Sequence, residues 1–261
     1  MNVLVTGASS GIGAGLARGF AADGHTVGIC ARREDRLEEV LADCQRTAPD
    51  SRMWVMDLSD LDAVTDFAER ADDELGGIDL LVNNAGIPKR RHALQLTPDV
   101  VDDVMAINYS SPVRLTLALL PRMIKRGSGR IVTISSVAAR FGPPREAAYS
   151  ASKAALSAFM ESLAVDLDGT DIRIHLVNPG IIDTELFHLP DNEQSLADIE
   201  ALPVGALVEA VKQQIAEDTF EIYVPDWFKD VVAGRYGNLG PFIEGSKEYT
   251  RERVKQMEAQ A

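Results

Sequence analysis

A chain of 261 residues with 46% hydrophobic and 25% charged residues suits one large α/β domain with a buried core. Its formal net charge of −14 repels phosphate backbones and argues against a nucleic-acid partner. Two isolated cysteines (Cys30, Cys44), four scattered histidines, no leader-like N-terminus and no apolar run of the ~18 residues a membrane span needs predict reduced thiols, no metal, no membrane partner and a cytoplasmic location.

In chain order, apolar runs alternate with longer amphipathic stretches. Residues 3–5 predict a strand, 7–13 a glycine-rich turn and 12–22 a helix. A second strand is expected at 26–30, a charged helix at 34–46, a third strand at 52–56, a helix at 61–75 and a fourth strand at 78–82. Residues 98–125 predict one long helix interrupted by Pro112 and Pro121. Further strands are expected at 130–135, 172–177 and 219–224, and helices at 147–167 and 204–216. The stretch 182–203 has no clear period, and 251–261 predicts a frayed helix. Strands alternating with helices of ten or more residues indicate crossover connections and a parallel sheet covered on both faces. With no internal repeat and no linker, residues 1–261 are read as a single domain.

Thr6-Gly7-Ala8-Ser9-Ser10-Gly11-Ile12-Gly13 follows a strand and opens a helix. Glycines let a backbone approach a pyrophosphate, and the helix N-terminus offers unpaired N–H groups. A purely structural turn is the plainer reading, weakened by this strand-turn-helix context. Where an acidic residue often holds the adenosine ribose, the chain carries Cys30-Ala31-Arg32-Arg33. Arginine suits phosphate, so Arg32, supported by Arg33, is expected to meet the 2′-phosphate of NADP; the alternative is capping of the next helix or pairing with Glu34 and Asp35. Asp57-Leu58 ends the third strand at the ligand edge, where Asp57 either accepts from an adenine amino group or caps the next helix.

Tyr149 and Lys153 lie four residues apart at the start of a predicted helix and share a face. A nearby ammonium lowers the pKa of a phenol, which otherwise stays protonated up to ~10, and equips it as a general acid. Ser136 stands at the end of the fifth strand, placed to hydrogen-bond a substrate oxygen; Ser135 beside it is equally suited to capping the strand end.

These features, with Asn83-Asn84-Ala85-Gly86, Asn108, Tyr149-Ser150-Ala151-Ser152-Lys153 and Pro179-Gly180, stand in the order and spacing of the short-chain dehydrogenase/reductase family, which the chain resembles over residues 1–185 and more loosely to 224. The resemblance implies a single doubly wound Rossmann domain with a mostly seven-stranded parallel sheet flanked by helices. It implies Tyr149 as proton donor and acceptor, Lys153 on the nicotinamide ribose and lowering the tyrosine pKa, and Ser136 polarising the carbonyl. It gives Asn108 a water that links Lys153 to solvent; taken alone, Asn108 reads as a helix-interior residue bonded to backbone. Cofactor contacts are implied at Gly7, Ser9, Ser10, Gly11, Ile12, Gly13, Asn84, Ala85, Gly86, Pro179, Gly180, Ile182 and Thr184, though strand-end turns explain several of these residue types. Ser10 stands where NADP-using members often carry a basic residue, which leaves the 2′-phosphate to Arg32 and Arg33.

Val137, Ala138, Phe141, Ile182, Leu186, Phe187 and Leu189 are expected to shape a pocket for a moderately apolar carbonyl or alcohol, with 184–203 as a lid. The basic run Lys89-Arg90-Arg91-His92 reads as a solvated loop, with attraction of an acidic substrate group as the alternative. Trp227, Phe228 and Tyr236 either pack at a subunit interface or cover the core. A homodimer or homotetramer is implied by the family's pairing of the helix before the fifth strand and the Tyr–Lys helix. Two other functions remain in view: a non-catalytic nucleotide-binding sensor or scaffold, which the presence of Tyr149 and Lys153 disfavours, and a halohydrin-dehalogenase-like lyase, which the open glycine turn disfavours.

Overall fold

In the computed structural model, which describes residues 1–260, strands β1 (Asn2–Thr6), β2 (Thr26–Ala31), β3 (Arg52–Val55), β4 (Leu80–Asn83), β5 (Gly129–Ile134), β6 (Ile172–Pro179) and β7 (Glu221–Val224) form one parallel sheet. Their order is β3-β2-β1-β4-β5-β6-β7, so the chain reverses direction of travel between β1 and β4. A crevice opens at such a switch point along the carboxyl edge, where ligands sit in doubly wound sheets. The seven-stranded Rossmann-like α/β architecture expected from the sequence is the one observed.

Period-two alternation distributes each strand between two cores. On β1, Val3 and Val5 face one side, where they meet helices α1 (Gly11–Ala22), α2 (Glu34–Gln45) and α7 (Val204–Glu217) through Leu16, Phe20, Leu37, Val40, Leu207 and Val211. Leu4 faces the other side, against α3 (Leu61–Leu75), α5 (Ser111–Arg126) and α6 (Ala147–Asp166) through Phe67, Leu115, Leu119, Leu156 and Met160. Burial on both faces explains why the strands read as continuous apolar runs. Gly28 is needed on β2 because a Cβ there would lie 2.7 Å from the Trp54 ring and 2.8 Å from Leu75.

Two regions depart from expectation. The predicted 98–125 helix is α4 (Pro98–Met105), a π-helical turn (Ala106–Ser110) and α5 in unbroken succession, with Pro121 inside α5. Pro112 has no N–H and crowds the carbonyl four residues back; the wider turn just before it relieves that crowding, so the helix bulges instead of breaking. At the other end, the short helix expected at 251–261 belongs to α9 (Leu239–Gln260), preceded by α8 (Phe228–Gly237); Ala261 lies outside the described residues. Phe228 is buried against the core, whereas Trp227 and Tyr236 are exposed. Among the described residues, no helix is long and apolar enough to cross a membrane.

Candidate active site

The glycine turn after β1 is fixed to β2 by the N–H groups of Gly7 and Ala8, which donate to the Cys30 carbonyl at 2.8 and 3.2 Å. Gly11 adopts φ +54°, and a Cβ on Gly13 would lie 2.5 Å from the Gly7 carbonyl oxygen, so glycine lets α1 begin directly on the turn. Ser10, the N-cap of α1, makes no side-chain capping bond, and Ser9, Ser10, Gly11 and Ile12 line a cavity with the helix N-terminus facing it.

Thr6, to which no role was assigned from sequence, staples the switch point. Its hydroxyl accepts from the N–H groups of Asn84 (3.0 Å) and Ala85 (3.1 Å) and donates to the Val82 carbonyl. Asn84 returns its amide to the Thr6 carbonyl at 2.8 Å. Asn84, Ala85 and Gly86 are thereby held at the cavity wall.

The two arginines after β2 are held differently. Both line the cavity, but Arg33 is fastened over the cradle, donating to Ser10 Oγ at 2.7 Å and to Ser9 Oγ at 3.2 Å. Asp57 accepts from the N–H and hydroxyl of Ser59, and these bonds hold its carboxyl low against the opposing effect of burial. The cap of α3 is Asp60, so the capping alternative for Asp57 is withdrawn. Asp57 and Leu58 line the same cavity.

At its far end the cavity meets Ser136, Tyr149 and Lys153. Tyr149 and Lys153 occupy the first two turns of α6, and the Tyr149 phenol shares the cavity wall with Ser136. Ser136 follows β5, and its Oγ accepts from the Ala138 N–H at 3.1 Å. Ser135 turns instead into α6, where its hydroxyl meets that of Ser157 at 2.8 Å, so it is the structural member of the pair. Lys153 is 4% exposed; its Nζ donates to the Ile134 carbonyl at 2.8 Å and lies 5.9 Å from the centre of the Tyr149 ring. Burial brings the Lys153 ammonium down to about 8. The Tyr149 phenol is pushed above its ordinary value, first by burial and then by the Glu146 charge, against opposing contributions from Ser136 and Arg90. The Lys153 ammonium is turned to the Ile134 carbonyl, and desolvation is the largest influence on the phenol.

Asn108 sits fully buried in the π-helical turn. Its Oδ1 accepts from the Ile87 N–H at 2.8 Å, and its Nδ2 donates to the Ile87 carbonyl at 2.9 Å and to Ser152 Oγ at 3.0 Å. Of its two sequence readings, the backbone-bonded one describes these contacts. Gly86 lies alongside, where a Cβ would come within 3.2 Å of Asn108 Oδ1 and 3.4 Å of Lys153 Nζ.

One continuous cavity of about 930 Å³ joins the cradle to this cluster and extends beyond it, with Pro179, Gly180, Ile182 and Thr184 on its wall. Val137, Ala138, Phe141, Leu186, Phe187 and Leu189 line it as expected; Phe228, Phe242 and Tyr249 from α8 and α9 also line it, and of these Phe242 and Tyr249 received no site assignment from sequence. Phe141 stacks on Phe228 and meets Phe242 edge-on.

The basic run at 89–92 is not a solvated loop. Arg90 is 4% exposed and donates to the carbonyls of Glu193 (2.9 Å) and Phe187 (2.5 Å), with its guanidinium 4.6 Å above the Phe187 ring. The Arg90 N–H is taken by Asn192, Lys89 pairs with Asp191, and Glu193 pairs with Arg145 at 3.1 Å. The segment above the site is thus stitched to residues 89–92 and 145. Its local sequence gave no sign of this, because the partners lie about a hundred residues away.

The short chain dehydrogenase family model matches residues 1–194. The dehydrogenase/reductase SDR family protein 7-like of Anopheles gambiae is 43% identical over 189 residues, covering 70% of this chain and 60% of its own length. The chain spans about 60% of the length of that relative and of its Drosophila melanogaster counterpart. Among solved structures, a short-chain dehydrogenase from Streptomyces avermitilis superposes with a TM-score of 0.80 at 27% identity over 95% of this chain and 97% of that one. A short-chain dehydrogenase from Sphingobium yanoikuyae in complex with NADPH superposes with a TM-score of 0.79 at 28% identity, covering 91% and 94%.

Proposed function

The chain belongs to the short-chain dehydrogenase family, and from that premise we propose that it transfers a hydride between NADP(H) and a moderately apolar carbonyl or alcohol, with Tyr149 as general acid and base. The observation that carries this reading is the meeting of Ser136, Tyr149 and Lys153 at one end of a continuous cavity whose other end is a glycine-rich helix N-terminus.

The residues present fit a nicotinamide dinucleotide. Gly7 and Ser9 to Gly13 would receive the pyrophosphate, Arg33 and Arg32 with Ser9 and Ser10 the 2′-phosphate, and Asp57 and Leu58 the adenine. Asn84 to Gly86, Lys153, Pro179, Gly180, Ile182 and Thr184 would frame the nicotinamide half. When bound, the nicotinamide supplies or accepts the hydride at the substrate carbon. In the reducing direction Ser136 donates a hydrogen bond to the carbonyl oxygen, and the Tyr149 hydroxyl passes its proton to that oxygen as the alcohol forms. A phenol raised by burial keeps that proton at neutral pH, ready for donation. Lys153 offers a positive charge beneath it, and Asn108 fixes the start of α6 through Ser152, whose hydroxyl donates to the Tyr149 carbonyl at 2.8 Å.

The apolar wall of Phe141, Leu186, Phe228 and Phe242 favours a bulky ketone over a small polar one. Residues 184–203 serve as its lid. Exposed Leu117 and Ile124 on α5 and Val165 on α6 support a homodimer or homotetramer built on those helices.

Nucleotide fluorescence titrations, followed by NADPH and NADH consumption with ketones of graded bulk, test the proposal. The expected result is ketone-dependent turnover that is more efficient with NADPH. Tight NADPH binding without turnover on any ketone or alcohol would return the protein to the sensor class.

A further inference from the structure

We propose that Glu185 is an electrostatic latch over the 2′-phosphate subsite, so that a dinucleotide carrying that phosphate must displace the start of the lid in order to bind. The inference rests on the NADP reading above and adds to it a residue that opposes the ligand.

Glu185 opens the 3₁₀ turn Glu185–His188 just beyond Thr184. Its carboxylate crosses to α2: Oε2 lies 3.1 Å from the Arg33 guanidinium and Oε1 lies 3.6 Å from that of Arg36. Arg33 directs its remaining donors to the hydroxyls of Ser9 and Ser10. Two guanidinium groups and two hydroxyls therefore converge at the cavity mouth, a donor set suited to an oxyanion, and two carboxylate oxygens already engage the arginines. Arg36 is a member of this set that the sequence did not single out.

The neighbouring contact places the start of the segment against the cradle. A Cβ on Gly11 would lie 3.0 Å from Thr184 Cγ2, so Thr184 rests directly on the cradle. Farther along, the segment is held by Arg90 through the carbonyls of Phe187 and Glu193, bonds that do not involve the phosphate-binding arginines. One end is thus clasped independently of any ligand, and the other is held by an ion pair that a phosphate can replace.

The balance favours exchange. The side chains of Arg33 and Glu185 are about half exposed (47% and 50%), so solvent screens their attraction and the pair adds little to folding. A phosphate monoester brings about two negative charges and more acceptor oxygens than a carboxylate. Once it is seated, Glu185 faces a like charge and is expelled, loosening 184–186 while Arg90 retains the rest. A nucleotide without the 2′-phosphate has no charge at this point and leaves the latch shut.

The test is calorimetric binding of adenosine 2′,5′-bisphosphate and of adenosine 5′-monophosphate to the full chain, wild type and Glu185→Gln, with hydrogen exchange read over 184–189. Glu185→Gln is expected to tighten the bisphosphate about two- to fivefold, the range of an exposed ion pair, and to leave the monophosphate unchanged. In the wild type the bisphosphate, and not the monophosphate, should raise exchange at 184–186. A bisphosphate preference that is lost in Arg33→Ala but untouched by Glu185→Gln would overturn the latch and leave the NADP reading standing. Equal binding of the two nucleotides, insensitive to Arg33→Ala, would remove both.

Discussion

The carboxyl edge of the sheet and the segment that crosses above it are held by different means. Along the edge, Thr6, Asn108, Ser152 and Lys153 are buried and hydrogen-bonded among elements fixed by the parallel ladder and two apolar cores. Above it, the carbonyls of Phe187, Glu193, Gln194 and Leu196 are taken by side chains from distant parts of the chain: Arg90, Arg145, Tyr249 and Arg253. Proton transfer needs groups held within a fraction of an ångström, which packed elements supply. Substrate choice tolerates, and gains from, a segment held by replaceable polar bonds. Changes at the edge should therefore act on the chemical step, and changes above it on substrate capture.

The sharpest way to break that division is Ser136→Ala, which removes the hydroxyl proposed to meet the reacting oxygen. Turnover should fall about 10²- to 10³-fold with the NADPH dissociation constant unchanged; a change confined to the Michaelis constant would show that the edge works mainly in binding. Lys153 gives a second test, through pH. Its ammonium titrates near 8 when folded and at about 10.4 when unfolded. The unfolded chain therefore binds more protons between those values, and stability rises with pH across that window by about 3 kcal/mol at most. Below pH ~8 the cost of the buried charge is present in full. Denaturation curves across this range should flatten in Lys153→Met, and an unchanged pH slope would place the ammonium in a better-solvated setting. The smallest effect belongs to the crossing segment. Arg90→Ala leaves two carbonyls without their donor, and should raise the Michaelis constant for a bulky ketone on the order of tenfold. It should also speed proteolytic cleavage within 184–203 while changing kcat far less. A loss of kcat as large as that of Ser136→Ala would erase the distinction between the two regions.

The edge was largely legible in the sequence, because its signals are local. Apolar runs, a glycine turn between strand and helix, and a Tyr–Lys pair one helical turn apart carry their geometry in their spacing, and these features lie where the spacing puts them. The crossing segment was not legible, because its determinants are pairings across the chain. Arg90 read as solvated since nothing near it announces Asn192 or Glu193, and α9 read as a short frayed helix since its apolar residues are few among many charges. At the edge itself, sequence missed what depends on burial. Burial is the first influence on the phenol of Tyr149, and the π-helical turn at Asn108 has the same residue pattern as the helix on either side.

The central claim is that the Tyr149 hydroxyl carries the proton that accompanies hydride transfer, and single-turnover kinetics with NADPH-saturated protein and a reducible bulky ketone test it most directly. Tyr149→Phe should slow the observed hydride-transfer step at least about 10²-fold while NADPH binds as in the wild type. A rate within a few-fold of wild type would contradict the claim and move the proton to another group.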